Sequence, residues 1–245
     1  MRIVAVSDLH GHLPEVPPCD LLLLAGDLTP ATHRYHDNMA AAAGWFDGPF
    51  RAWLDAAPAA EVVGVAGNHD WVFQKAPHLV SKDLRWTYLQ DSGVTKFGLK
   101  LWGTPWQPWF HDWAFNAHPE KMRQVAGLIP LDTDVLVMHG PPKFFGDTAR
   151  RWEQVPVKGP ATAAITYEHV GCPHLRERVF AAVGLRLAVF GHIHSGRGVY
   201  RMNRPDDRPD TLLANVALVN EDYLPVHRPI AFDFDAATGR VEVAA

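Results

Sequence analysis

A chain of 245 residues, 47% of them hydrophobic and 20% charged, has the material for a large core, which argues against disorder. A net charge of −4 and a pI near 6.4 argue against the basic footprint that long DNA or RNA requires. No apolar run reaches the roughly 18 residues of a membrane span, and two cysteines, Cys19 and Cys172, offer neither a disulfide framework nor metal-site spacing. Residues 1–245 read as a single domain. The first eight residues run straight into a strand rather than a signal peptide, so a cytoplasmic location is expected.

In chain order, residues 3–6 and 21–25 are short continuous apolar runs, followed by a helical stretch over 37–57 that is interrupted near Gly48-Pro49. A third apolar run covers 62–66, and 86–101 contains short strand-like pieces. Helices at 119–127 and 173–183, each opened by a proline, alternate with apolar runs at 135–138 and 187–190. Short strands at 198–202, 230–233 and 241–243 follow, with 204–210 a charged, proline-rich surface loop. Continuous rather than alternating apolar runs imply strands buried on both faces, and strand-helix alternation implies a layered α/β architecture. The pieces within 86–101 and those of the C-terminal third suggest a second sheet with antiparallel hairpins.

Each of the five apolar runs ends in residues able to hold a cation: Ser7-Asp8-Leu9-His10-Gly11, Gly26-Asp27, Gly67-Asn68-His69-Asp70, His139-Gly140, and Gly191-His192-Ile193-His194. In open α/β sheets ligands bind beyond the carboxyl ends of the strands, where the loops converge over a rigid support. Asp8/His10 and His192/His194 are two residues apart, so in extended chain each pair projects to one side. A lone histidine after a strand is more often a structural turn residue; the weight lies in five such blocks together. Three oxygen donors (Asp8, Asp27, Asn68) with four imidazoles (His10, His139, His192, His194) suit Mn, Fe, Zn or Co better than Ca or Mg, manganese being favoured. Seven ligands exceed what one catalytic ion takes, so two divalent ions are expected, with Asp27, alone at its strand end, the natural bridge.

These blocks resemble the signature of the calcineurin-like metallophosphoesterase superfamily: Asp-x-His, Gly-Asp, Gly-Asn-His-Asp/Glu, a strand ending in His, and Gly-His-x-His, all present in order from Asp8 to His194. The resemblance implies a two-sheet β-sandwich flanked by helices, an α/β (α+β) fold with a dinuclear site at the strand ends. It also implies one ion on Asp8, His10, Asp27 and His194 and another on Asp27, Asn68, His139 and His192. His69 would lie beside the ions as a proton donor, with Asp70 fixing its tautomer. A narrower likeness, carried by residues 103–116, 138–142, Gly171-Cys172 and 215–225, is to the metallophosphoesterase-domain-containing branch, similar to class III cyclic nucleotide phosphodiesterases. Some members of that branch have Gly in place of the first His of Gly-His-x-His; His192 is kept here.

Two cations roughly 3.5–4 Å apart hold a bridging water, lower its pKa toward about 7 and direct hydroxide at phosphorus. The metal hydroxide does not by itself choose between ester types; the likeness to class III cyclic nucleotide phosphodiesterases implies a phosphodiesterase acting on small phosphodiesters such as cyclic nucleotides. A phosphomonoesterase or protein phosphatase on the same site, and a non-catalytic scaffold of the same fold, are the alternatives. No membrane partner is expected, and the oligomeric state stays open, a homodimer included. His12 reads as an ordinary loop residue; His33, His36, His78, His111, His118, His169, His174 and His227 read as surface or core. Trp102, Trp106, Trp109 and Trp113 are read first as packing and second, with Phe144-Phe145, as a platform for a nucleobase. Lys143, Arg150 and Arg197 are read as solvated charge ahead of phosphate contacts.

Overall fold

The computed structural model describes residues 1–155, 162–204 and 210–244. In chain order the strands are β1 (Arg2–Val6), β2 (Cys19–Ala25), β3 (Ala59–Val65), β4 (Thr87–Tyr88), β5 (Ser92–Lys96), β6 (Leu99–Thr104), β7 (Gln107–Pro108), β8 (Asn116–Ala117), β9 (Val135–Met138), β10 (Thr148–Val155), β11 (Thr162–His169), β12 (Leu187–Phe190), β13 (Gly198–Met202), β14 (Thr211–Asn215), β15 (Ile230–Asp235) and β16 (Arg240–Val243). The helices are α1 (His33–Asp37), α2 (Met39–Trp45), α3 (Arg51–Ala56), α4 (Trp71–Lys75), α5 (Pro119–Leu128) and α6 (Pro173–Ala181). One sheet has the order β16-β15-β1-β2-β3-β4 and the other β13-β14-β12-β9-β6-β5.

The continuous apolar runs are explained by which neighbours each residue meets. Along β1, β2, β3, β9 and β12 the odd positions (Ile3, Ala5, Leu21, Leu23, Val63, Val65, Val135, Val137, Leu187, Val189) form the core between the two sheets. The even positions (Val4, Val6, Leu22, Leu24, Val62, Leu136, Met138, Ala188, Phe190) join a second core with helix residues such as Phe46, Leu54, Met122, Val125, Leu175 and Val179. Successive side chains point to opposite faces of a strand, so a strand with apolar partners on both sides must be apolar throughout. The result is a two-sheet sandwich with helices outside both sheets.

Three details differ from the sequence reading. The interruption near Gly48-Pro49 is a π-helical turn over Phe46–Phe50, which absorbs the proline while keeping Phe46 and Phe50 buried. Of the pieces expected in the second sheet, β5, β6 and β13 lie there, whereas β4, β15 and β16 belong to the first, β15 running antiparallel to β1. The centre of the second sheet is instead the parallel set β6, β9, β12 and β14, of which β9, β12 and β14 are buried on both faces whereas β6 leaves Lys100 exposed. The antiparallel pair β10–β11 has no counterpart among the expected strands. Of the expected loop at 204–210, residues 205–209 lie outside the described residues. No helix among the described residues is long and apolar enough to cross a membrane.

Main-chain bonds beyond the strand ends tie the two sheets' loops together. Ser7 N–H donates to Val216 O and Leu218 N–H to Ser7 O, Asp8 N–H donates to Gly26 O, and Gly191 N–H to His139 O. The C-terminal ends of both parallel sets therefore meet along one edge of the sandwich.

Candidate metal centre

The side chains expected as ligands converge at that edge from both sheets. Asp8, His10 and His194 form one group: His10 Nε2 lies 3.3 Å from His194 Nε2, and His194 Nε2 lies 3.3 Å from Asp8 Oδ1. Asn68, His139 and His192 form another, with Asn68 Oδ1 2.8 Å from His139 Nε2 and 2.7 Å from His192 Nδ1. Asp27 Oδ2 sits between the groups, 3.6 Å from His10 Nε2 and 3.5 Å from His139 Nε2. Asp8, Asp27, Asn68 and His139 are almost fully buried.

Holding the ligands there distorts the chain. Asp8 (φ 53°), His10 (φ 44°), Asp27 (φ 54°) and His192 (φ 68°) all occupy the left-handed region that non-glycine residues avoid. Such strain persists only where surrounding structure enforces it, and it gathers at functional sites. The glycine after β12 is demanded by proximity: a Cβ on Gly191 would fall 2.0 Å from Asp8 Oδ2.

The donor set fits a divalent cation. His139 Nδ1 lies 2.9 Å from Ala25 O and His194 Nδ1 2.9 Å from Asn220 O. A carbonyl only accepts, so each Nδ1 carries the proton and each Nε2 turns toward the cluster, the arrangement by which proteins present imidazole to a metal. Asp8 is oriented by the Ser7 hydroxyl at 2.5 Å and the His192 N–H at 3.0 Å, and Asp27 Oδ1 accepts from His69 N–H at 2.8 Å. Imidazole nitrogens and carboxylate oxygens thus crowd around common points, and a cation is the partner that satisfies them together once the inward imidazole protons are released. His10 and His192 are each pushed down to about 3, by burial above all, and are neutral donors at pH 7. His139 moves the other way: burial pulls it down, but the charge and hydrogen bond of Asp27 outweigh this and raise it to about 9. Asp8 lies lowered, to about 2, with His194 overcoming the burial penalty.

The role expected of Asp70 needs correction. Its carboxylate accepts from the N–H groups of Leu28 (3.0 Å), Thr29 (2.9 Å) and Gly67 (2.8 Å) and from the Thr29 hydroxyl (2.7 Å), and so clamps the loops after β2 and β3. These partners take the carboxylate away from the His69 ring. His69 does lie at the centre, its Nε2 4.0 Å from Asp27 Oδ2, but its Nδ1 faces His36 Nε2 at 2.9 Å. Sequence reading placed His36 on the surface or in the core, and no spacing rule connects residues 36 and 69. His12 Nε2 donates to Tyr223 O at 3.1 Å and so ties down the loop that lays the Tyr223 ring against His10, centroids 4.7 Å apart. Tyr223 was also missed.

A cleft opens from the cluster, lined by Asp27, Asn68, His69, Trp113, Arg150 and Tyr223 among others. A mainly apolar annexe adjoins it, lined by Pro108, Trp109, Phe110, Val170 and Ile193 together with Arg150 and His192. The tryptophans divide: Trp106 is buried and bonds Asp91, Trp113 packs on His69 with centroids 4.8 Å apart, and Trp109 is half exposed and stacks on His118. Phe145 packs against Phe180 and Tyr200, and Phe144 against His169. Arg150, on β10, lines the cleft and pairs with Glu221 at 3.5 Å, whereas Arg197 is spent on the carbonyls of Ala217 and Arg228.

Comparison with known proteins is consistent with this geometry. The family model described as calcineurin-like phosphoesterase matches residues 1–196. The chain is 33% identical over 259 residues to metallophosphoesterase domain-containing protein 1 of Homo sapiens and, equally, of Mus musculus, covering 95% of this chain and 70% of those proteins. It is 27% identical over 269 residues to UPF0046 protein T07D4.2 of Caenorhabditis elegans, covering 95% of this chain and 60% of that protein.

Proposed function

The chain belongs to the calcineurin-like phosphoesterase family, and from that membership we propose a narrower reading, a phosphodiesterase that hydrolyses small phosphodiesters, cyclic nucleotides foremost. At the family level it is a metal-dependent phosphoester hydrolase. Residues 1–245 act as one catalytic domain in this reading, because β13, β14, β15 and β16, beyond the family match, complete both sheets.

Asp8, His10, Asp27, Asn68, His139, His192 and His194 would hold two divalent ions, manganese foremost, which supply Lewis acidity and a water activated for attack at phosphorus. The protein's own groups do the rest. His69, with Nε2 facing the cluster, gives its proton to the leaving oxygen. Trp113, packed on His69, keeps bulk water from that proton, and Arg150 places positive charge at the cleft wall for a phosphoryl oxygen.

The observation that carries the diester reading is the annexe beside the cluster, with Trp109 and Phe110 on its wall. A monoester needs only the phosphoryl end of the cleft, whereas a flat, partly apolar group esterified to phosphate has a place in the annexe. The test is a panel on the manganese-loaded protein: p-nitrophenyl phosphate, bis(p-nitrophenyl) phosphate, and 2′,3′- and 3′,5′-cyclic AMP. We expect the diesters to lead in kcat/KM. Phe110→Ala and Trp109→Ala should raise KM for the cyclic nucleotides by about 10-fold, from the ~1–3 kcal/mol of base stacking, and leave p-nitrophenyl phosphate unaffected. Preference for the monoester, or equal effects on every substrate, would overturn the reading.

A further inference from the structure

We infer that His36 is the positioning residue for His69, holding its Nδ1 so that Nε2 faces the reaction centre. The inference rests on the reading of His69 as the proton donor. His36 lies in α1, and its Nε2 is 2.9 Å from His69 Nδ1, with ring centroids 4.9 Å apart. The remaining sides of the His69 ring meet Trp113 at 4.8 Å and the edge of His10 at 4.7 Å, and the opposite nitrogen lies 4.0 Å from Asp27 Oδ2. Packing fixes the plane of the ring, but packing does not decide which nitrogen carries a proton. A hydrogen bond at Nδ1 does.

The chemistry follows from what a neutral imidazole offers. With its own proton on Nδ1, His36 accepts at Nε2 from His69 Nδ1–H. As the acid His69 carries a proton on each ring nitrogen: it gives the one on Nε2 to the departing alkoxide as the attacking oxygen bonds to phosphorus and the leaving P–O bond breaks with its electron pair on that oxygen, and His69 is left neutral with its Nδ1–H still bonded to His36. Burial, together with His69, lowers the His36 pKa, which keeps it in the neutral accepting form. An uncharged acceptor at this distance orients the His69 ring through its Nδ1–H. Asp70, the carboxylate adjacent in sequence, is committed to backbone N–H groups instead.

The test compares His36→Ala, His36→Gln and His69→Ala in the full chain. Manganese-loaded protein is assayed on bis(p-nitrophenyl) phosphate, whose leaving group needs little protonation, and on 3′,5′-cyclic AMP, whose alkoxide needs it. We expect His36→Ala to lower kcat on the cyclic nucleotide by about 10- to 100-fold, with a much smaller effect on the aryl diester, an unchanged KM and unchanged metal content. His36→Gln, whose amide oxygen can accept from Nδ1–H, should recover most of the loss. In zinc-loaded protein, ¹⁵N chemical shifts of the His69 ring should report a protonated Nδ1 in the wild type and in His36→Gln, and a mixture of tautomers in His36→Ala. Wild-type turnover of cyclic AMP by His36→Ala, or an unchanged Nδ1 signal in it, overturns the inference. If His69→Ala discriminates between leaving groups and His36→Ala does not, the positioning role alone falls. If His69→Ala loses metal or shows no discrimination, the donor reading falls and the inference with it. A protein that turns over neither diester defeats the diester reading, and the ring-nitrogen signals then decide the role of His36 by themselves.

Discussion

Asp8 and Gly191 show how closely the candidate ligands are packed against the loops that carry them. A Cβ at Gly191 would stand 2.0 Å from Asp8 Oδ2 and 2.1 Å from Ser7 Oγ, so alanine must push the carboxylate off its bonds to Ser7 and the His192 N–H. Gly127, in α5, has no atom within 4 Å of the corresponding position. Gly191→Ala should therefore lose at least half of its bound metal by elemental analysis, whereas Gly127→Ala keeps all of it and gains about 0.5–1 kcal/mol of stability from helix propensity. Equal metal content in the two variants would remove Asp8 from the ligand set. The residues at this site that were legible in sequence are those whose chemistry is restrictive: Asp8, His10, Asp27, Asn68, His139, His192 and His194 are donor types placed directly after buried strands. Asp70 was misread because its true partners are backbone N–H groups, which carry no residue identity. His36 was invisible because a bond between residues 33 positions apart leaves no periodic trace.

At the scale of elements, legibility followed burial with one exception, β14, whose five buried residues are not among the expected strands. The doubly buried strands β1, β2, β3, β9 and β12 announce themselves as unbroken apolar runs, since each face has its own apolar neighbour. The β10–β11 hairpin carries Ala149 and Arg150 toward the cleft and leaves Ile165 and Tyr167 exposed, so these apolar residues on β11 do not mark a core-facing strand. The sheet assignment of β15 and β16 was equally hidden: register against β1 decides it, and composition does not encode register. The two-core arrangement makes a quantitative claim. Leu23, fully buried between the sheets beside Ala5 and Val63, should cost ~2–5 kcal/mol on truncation to alanine. Val199, 37% exposed on β13, should cost within about 0.5 kcal/mol on the same change, apart from its smaller side chain's loss of strand propensity. Urea denaturation of both variants measures the difference, and similar costs would mean that the inter-sheet layer is not the principal core.

For the whole molecule, the imidazoles make stability depend on pH in opposite directions on either side of their ordinary value of 6.5. In metal-free protein, His10 and His192 stay neutral when folded down to about 3, while the unfolded chain takes up protons from 6.5 downward. Stability therefore falls as pH drops through that window, by at most about 1.4 kcal/mol per pH unit for each group. Asp8, lowered to about 2, acts in the same direction below its ordinary value, and Asp70, raised by burial, opposes it just above that value. His139 has the reverse sign: raised to about 9, it contributes stability that is complete below 6.5 and lost as pH climbs toward 9. His194, also raised, adds to that loss. Thermal melts of metal-free protein should thus peak near pH 6.5 and decline on both sides, and a monotonic curve from pH 4 to 9 would contradict these assignments. Metal changes the balance at the alkaline end, because a ligating imidazole must give up the proton on its inward nitrogen. His139 is protonated at pH 7.5 without metal, so manganese binding should release about one proton or more per chain. The slope of calorimetric binding enthalpy against buffer ionisation enthalpy counts it; a slope of zero would mean that His139 enters the site already neutral or does not ligate.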